Sequence, residues 1–186
     1  MKDKITSLIA GSSSLWRRPV LALVFALACP AAFSAESGAA EPVGAMARLH
    51  KFTDQASEMA FREVAMRAMA LVGIHYRYGG DSPEHGLDCS GLVRYVFKEA
   101  WGTHLPRTSR EISKVGEKVS RDELQPGDLV FFNTLRRTFS HVGIYLGDNK
   151  FIHSPNSGAS VRVESMDLAY WKKRFNGARR VSQPEQ

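Results

Sequence analysis

His141-Val142-Gly143-Ile144-Tyr145-Leu146-Gly147-Asp148-Asn149-Lys150-Phe151-Ile152-His153 reads as two strands joined by a tight turn. Side chains alternate across a strand, so Val142, Ile144 and Leu146 share one face, and His141, Gly143 and Tyr145 the other. A three-residue turn over Gly147-Asp148-Asn149 pairs Leu146 with Lys150, Ile144 with Ile152 and Gly143 with His153. Cross-strand partners share a face. His153 is therefore expected beside His141 as its diagonal neighbour, about 7–8 Å away along the backbone, with Gly143 leaving room between them. A two-residue turn would instead turn His153 to the opposite face. Asp148 or Asn149 tolerates the left-handed conformation that such a turn needs, and the apolar match of Ile144 with Ile152 argues for the same register.

Upstream of this hairpin the pattern is helical. Apolar residues recur at helical spacing from about Met46 to Val72, until Gly73 ends the run. Tyr76 to Leu87 is rich in Gly and reads as a loop. Leu92, Val93, Val96 and Phe97 then mark one face of a helix over Ser90 to Ala100, stopped by Trp101-Gly102. Thr108 with Glu111 forms a capping-box signature for a shorter helix reaching Val115. Downstream lie further strand signals at Leu129 to Phe132, after the Pro126-Gly127 turn, at Val161 to Val163 and at Ala178 to Val181. Helices first and a hairpin-connected sheet afterwards is an α+β pattern.

Asp88-Cys89 falls at the junction of loop and helix. A thiol there meets the positive end of the helix dipole and unpaired backbone N–H groups, which is expected to lower its pKa. Asp88 can cap the helix, Gly91 leaves its first turn uncrowded, and a free N–H such as that of Cys89 can steady an oxyanion. Cys89 as nucleophile, His141 as base and His153 as orienter of the His141 tautomer form a coherent catalytic set, provided the helix start packs on the histidine face. The sequence holds no CxxC or HExxH spacing, so no metal and no cofactor is expected.

The first 35 residues have the form of an export signal. Lys2, Lys4, Arg17 and Arg18 precede an apolar run, Val20 to Ala28, too short to span a bilayer, and small residues follow it. Ala26-Leu27-Ala28-Cys29 also loosely resembles a lipobox, so Cys29 is either removed with the signal or lipidated as an outer-membrane anchor. Both routes leave Cys89 without a disulfide partner in an oxidising compartment. Residues 36–44 read as a linker. The expected layout is a signal at 1–35, a partly helical extension at 36–60 and one catalytic domain at 61–186. Removing the signal takes four basic residues and one acidic residue from the formal charge of +6 and leaves +3, which makes no case for nucleic acid. Five basic side chains between Lys172 and Arg180 read as a solvated face with weak attraction to an anionic polymer.

Several segments together resemble the NlpC family of papain-like cell-wall cysteine peptidases. They are Tyr76 to Gly80, Leu87 to Val93, Leu105-Pro106-Arg107, Leu124 to Phe132, His141 to Gly147 and Phe151-Ile152-His153. Tyr170 to Phe175 and Ala178 to Val181 are similar to the Spr-type murein endopeptidases of Gram-negative envelopes. The resemblance implies a papain-like fold, in which a helix bearing the nucleophile at its N-terminus packs on an antiparallel sheet. It implies that Cys89 attacks an amide in peptidoglycan peptides, with His141 as base and His153 as third residue. It also implies that the Tyr76 hydroxyl lies near the oxyanion and that Asp88 and Ser90 contribute to peptide binding. The expected bond is the D-Ala to diaminopimelate cross-link. The alternatives are the D-glutamyl to diaminopimelate stem bond and a non-catalytic cell-wall binding module. The expected setting is the periplasm, with peptidoglycan as partner and a monomeric chain.

Overall fold

The computed structural model describes residues 42–134 and 137–184. The expected export signal, Cys29 and most of the expected linker lie outside the described residues. Pro42, Val43 and Gly44, read above as linker, belong instead to a long helix, α1 (Pro42–Met69). Proline suits such a start because the first helical N–H has no partner to lose. The C-terminal part of α1 buries Phe61, Val64, Ala65 and Ala68, while Leu49, Phe52 and Met59 upstream stay exposed.

A two-stranded hairpin, β1 (Asp81–Ser82) and β2 (Gly86–Leu87), structures the end of the expected loop. It leads directly into α2 (Cys89–Trp101), whose Asp88 cap and left-handed Gly102 stop match the sequence signals. The Thr108–Glu111 capping box is realised in full at α3 (Ser109–Ile112). The remaining elements are β3 (Glu117–Val119), a 3-10 turn at Arg121–Glu123, β4 (Leu129–Phe132), β5 (His141–Gly147), β6 (Lys150–His153), β7 (Arg162–Ser165), α4 (Ala169–Lys172) and β8 (Phe175–Arg180). Six of these strands form one antiparallel sheet in the order β3-β8-β4-β5-β6-β7.

Two apolar clusters grip the sheet. On one face Leu92, Val93, Val96 and Phe97 of α2 meet Leu129, Phe131, Val142, Ile144 and Ile152. On the other, Val130, Phe132, Tyr145 and Phe151 meet Met166, Trp171 and Ala178. The alternation of β4 and β5 between these clusters is what makes both faces of the central strands dry. Buried Asp128 ties the sheet together, accepting from Arg180 Nε and Nη2 at 2.8 Å each. Arg179 Nε donates to the Ser113 carbonyl. These two arginines of the basic run thus have structural partners and are not part of a purely solvated face.

The central hairpin holds the expected register by an unexpected route. Ile144 pairs with Ile152 and Tyr145 with Phe151, but the next pair is Gly147 with Lys150. The turn is therefore the two-residue Asp148-Asn149, with φ values of 50° and 54°, the left-handed pair of a type I′ turn. Leu146 is an extra residue bulged out of β5. A two-residue turn alone would have reversed the faces; the bulge adds back the missing residue and returns His153 to the side of His141.

Candidate active site

β5 starts with His141 and β6 ends with His153, and the sheet register sets the two rings side by side. Their centroids are 5.0 Å apart, and His141 Nε2 lies 2.8 Å from His153 Nδ1. Gly143 is required beside them: a Cβ there would stand 2.7 Å from the Ile152 carbonyl oxygen and 3.2 Å from His153 Cβ. Trp171 of α4 stacks on His141 at 5.6 Å and meets His153 edge-on at 5.0 Å, while Phe151 lies 4.8 Å from His153. This aromatic wall keeps water away, and His141 is 4 % exposed and His153 fully buried.

The histidines are not on the face that α2 covers. Val142 and Ile144 point at α2, so alternation sends His141 to the Trp171 side. The expectation that the helix start packs on the histidine face is therefore corrected. The helix start and His141 meet at the start of β5, where an open cleft of about 500 Å³ is lined by Tyr76, Asp88, Cys89, Ser90, Arg107 and His141. A second groove of about 400 Å³, lined by Arg162, Glu164, Tyr170 and Trp171, continues on the other side of His141.

Cys89 is held at this end by its neighbours. Asp88 caps α2 by accepting from Gly91 N–H at 2.7 Å and from Ser90 Oγ at 3.0 Å on Oδ1, and from Gly79 N–H at 3.1 Å on Oδ2. Arg107 reaches across to donate to both Asp88 oxygens and, at 2.8 Å, to Ser90 Oγ. Burial opposes the charge on Asp88, but the Arg107 guanidinium, the Gly91 N–H and the Ser90 hydroxyl together hold its carboxyl below the usual range. The Gly80 carbonyl accepts from Asp88 N–H, and a Cβ at Gly91 would stand 1.9 Å from that oxygen. On the sheet side, Ser154 Oγ donates to the Leu87 carbonyl at 2.6 Å and fastens the end of β6 to the approach to Cys89.

The expected low thiol pKa is not what this environment produces. Burial, followed by the charge of Asp88, pushes the Cys89 thiol up to about 11. The N–H groups of Val142, Ser90 and Cys89 act in the opposite sense and are outweighed. Burial, with His153 second, drives His141 down to about 3; burial and then Arg162 drive His153 to about 3. At neutral pH the resting groups are a thiol and two neutral imidazoles. Because Nε2 of His141 faces His153, Nδ1 is the nitrogen left for the thiol. Tyr76 lines the same cleft, and burial and then Cys89 raise its phenol pKa.

Arg107, Trp171, Ser154 and Glu164 had no assigned part in the sequence reading. Arg107 lay inside a matching motif, and Trp171 inside the C-terminal segment, but their contacts join residues far apart in the chain. Among the described residues, no group of three or more His, Cys, Asp or Glu side chains is arranged to hold a metal ion.

Residues 73–180 match the NlpC/P60 family, more than half of the chain. The chain belongs to the NlpC/P60 family. Murein DD-endopeptidase MepH of Escherichia coli K12 is 42% identical over 146 residues, covering 76% of this chain and 52% of the relative. Murein DD-endopeptidase MepS/Murein LD-carboxypeptidase of the same organism is 49% identical over 109 residues, 59% of this chain and 56% of the relative. The chain thus spans about half the length of the curated relatives it matches. An NlpC/P60 family protein from Bacillus cereus ATCC 10987 superposes with a TM-score of 0.62 at 32% identity, covering 67% of this chain and 40% of that one. The α+β, papain-like architecture expected from the sequence is the architecture of this family.

Proposed function

We propose that this chain is an exported cysteine peptidase that hydrolyses amide bonds in peptidoglycan peptides, at the D-Ala to diaminopimelate cross-link. The observation that carries the proposal is the convergence of Cys89 and His141 on one open cleft, with His153 hydrogen-bonded to His141 behind it, in a chain of this family. The names of its relatives, murein DD-endopeptidases, supply the substrate class.

In this reading Cys89 Sγ attacks the scissile carbonyl while its proton passes to Nδ1 of His141. The transfer accompanies attack, since burial disfavours a standing thiolate–imidazolium pair. Free N–H groups at the start of α2 and the Tyr76 hydroxyl steady the oxyanion. His141 then gives its proton to the leaving amine, and water hydrolyses the thioester with His141 again as base. Asp88 holds the helix start, and together with Ser90 and Arg107 it lines the acyl side of the cleft. Residues 1–35 serve as the export signal, 36–60 as an extension and 61–186 as the catalytic domain. The protein works in the periplasm, either freed by cleavage or anchored through Cys29.

Digestion of purified sacculi, with products read by mass spectrometry, tests this directly. Conversion of cross-linked dimers into monomers is the expected result. Fragments cut after D-Glu would move the assignment to the stem bond, and binding without products would leave a cell-wall binding module.

A further inference from the structure

The hydrogen bond between the two imidazoles holds a single proton, and it has two possible homes. With the proton on His141 Nε2, Nδ1 of His141 is bare; His153 accepts at Nδ1 and, being neutral, carries its own proton on Nε2. With the proton on His153 Nδ1, His141 accepts at Nε2 and its own proton sits on Nδ1, where it blocks transfer from the thiol. Only the first arrangement has a base for Cys89.

The far side of His153 distinguishes the two. Its Nε2 is buried, has no hydrogen-bond partner among the described residues, and lies 3.6 Å from Glu164 Oε1. In the first arrangement an N–H faces that carboxylate. In the second a lone pair faces it, an unfavourable contact in a site with little water to screen it. Glu164, on β7, is itself held from two sides: Trp171 Nε1 donates to Oε2 and Arg162 Nε donates to Oε1 at 2.5 Å. Its side chain is 17% exposed, so its field reaches the histidines through protein. The same carboxylate favours the protonated form of His141, opposing burial and His153.

We propose that Glu164 is a positioning residue that selects the tautomer of His153, and through it that of His141, so that His141 Nδ1 is bare and ready for the Cys89 proton. The inference rests on the reading of this chain as a thiol peptidase. During attack the S–H bond breaks and an N–H bond forms at His141 Nδ1. The imidazolium keeps its Nε2–H on His153, His153 keeps its Nε2–H toward Glu164, and no proton leaves the chain of groups.

The test is nitrogen-15 histidine NMR and steady-state kinetics on the wild type, E164Q and E164D, with folding checked by circular dichroism. In the wild type His141 is protonated at Nε2 and bare at Nδ1, and His153 is protonated at Nε2. The side-chain amide introduced by E164Q can donate or accept toward His153. That variant therefore populates both tautomers, and its kcat falls by the fraction of molecules in the wrong one, about twofold for equal populations, with little change in KM. E164D keeps the charge and the wild-type tautomers. A protonated Nδ1 on His141 in the wild type overturns the proposal whatever the variants do. So does a folded E164Q that keeps either the wild-type tautomers or the wild-type kcat. If the wild type hydrolyses no sacculi, the functional reading fails, while the NMR still decides what Glu164 does to the histidines.

Discussion

Lowering the pH from 7.5 to 5.0 should cost this fold several kcal/mol through His141 and His153. Burial above all, with His153 second for His141 and Arg162 second for His153, holds both at about 3 in the folded protein, against about 6.5 for a free histidine. Between these values the unfolded chain binds protons that the native state refuses. The contribution is therefore fully present above about pH 6.5 and is lost as the pH falls toward 3. At pH 5.0 linkage gives about 2 kcal/mol for each histidine, about 4 kcal/mol together. That is a large share of the roughly 5–15 kcal/mol that holds a typical domain folded. Asp88 does not confuse the window, because a depressed carboxyl loses its contribution only below the ordinary carboxylate range. Urea unfolding followed by circular dichroism at the two pH values should show the midpoint falling by on the order of 2 M, for a slope near 2 kcal/mol/M. His153→Asn should roughly halve the difference between the two pH values, whatever it does to absolute stability. Equal wild-type midpoints at pH 7.5 and 5.0 would refute the assignment of two neutral, water-excluded imidazoles.

Iodoacetamide should modify Cys89 slowly at pH 7 and faster as the pH approaches the raised thiol pKa of about 11; a rate that levels off below pH 8 would show a standing thiolate instead. Arg107→Ala strands the Asp88 carboxylate beside Cys89, and urea unfolding should register a loss of about 1–3 kcal/mol, toward the lower end because Arg107 is 39% exposed. Hydrolysis should fall with it, and equal stability in Arg107→Ala would mean that the ion pair orders nothing. Gly91→Ala puts a Cβ 1.9 Å from the Gly80 carbonyl oxygen, a backbone contact that cannot rotate away. A thermal melt should report about 1–3 kcal/mol of strain, and activity should drop as the start of α2 shifts.

Local signals carried much of the architecture. The Asp88 cap, the Gly102 stop and the Thr108–Glu111 capping box are each written within a few residues, and each is realised. The Ile144–Ile152 match disclosed the register that brings His141 to His153, although the turn was misread. A bulge at Leu146 has no signature in alternation, because apolar residues on both sides of β5 suit either count. Strand β3 and helix α4 were too short, at three and four residues, to show a period. The site was legible as a set of residues and less so as an environment. Trp171 and Phe151 close over the histidines through tertiary packing, and the burial they bring drives the imidazoles to about 3. At Cys89, burial and Asp88 outweigh the helix end, which is why position alone suggested the wrong direction for the thiol.

The central claim is that Cys89 performs the chemistry from the mouth of this cleft. It is tested most directly by incubating a purified cross-linked muropeptide with the wild type and with Cys89→Ala, after circular dichroism and thermal melting show the variant folded. The account predicts monomer release by the wild type and none by Cys89→Ala. Turnover by the folded Cys89→Ala protein at the wild-type rate would contradict it.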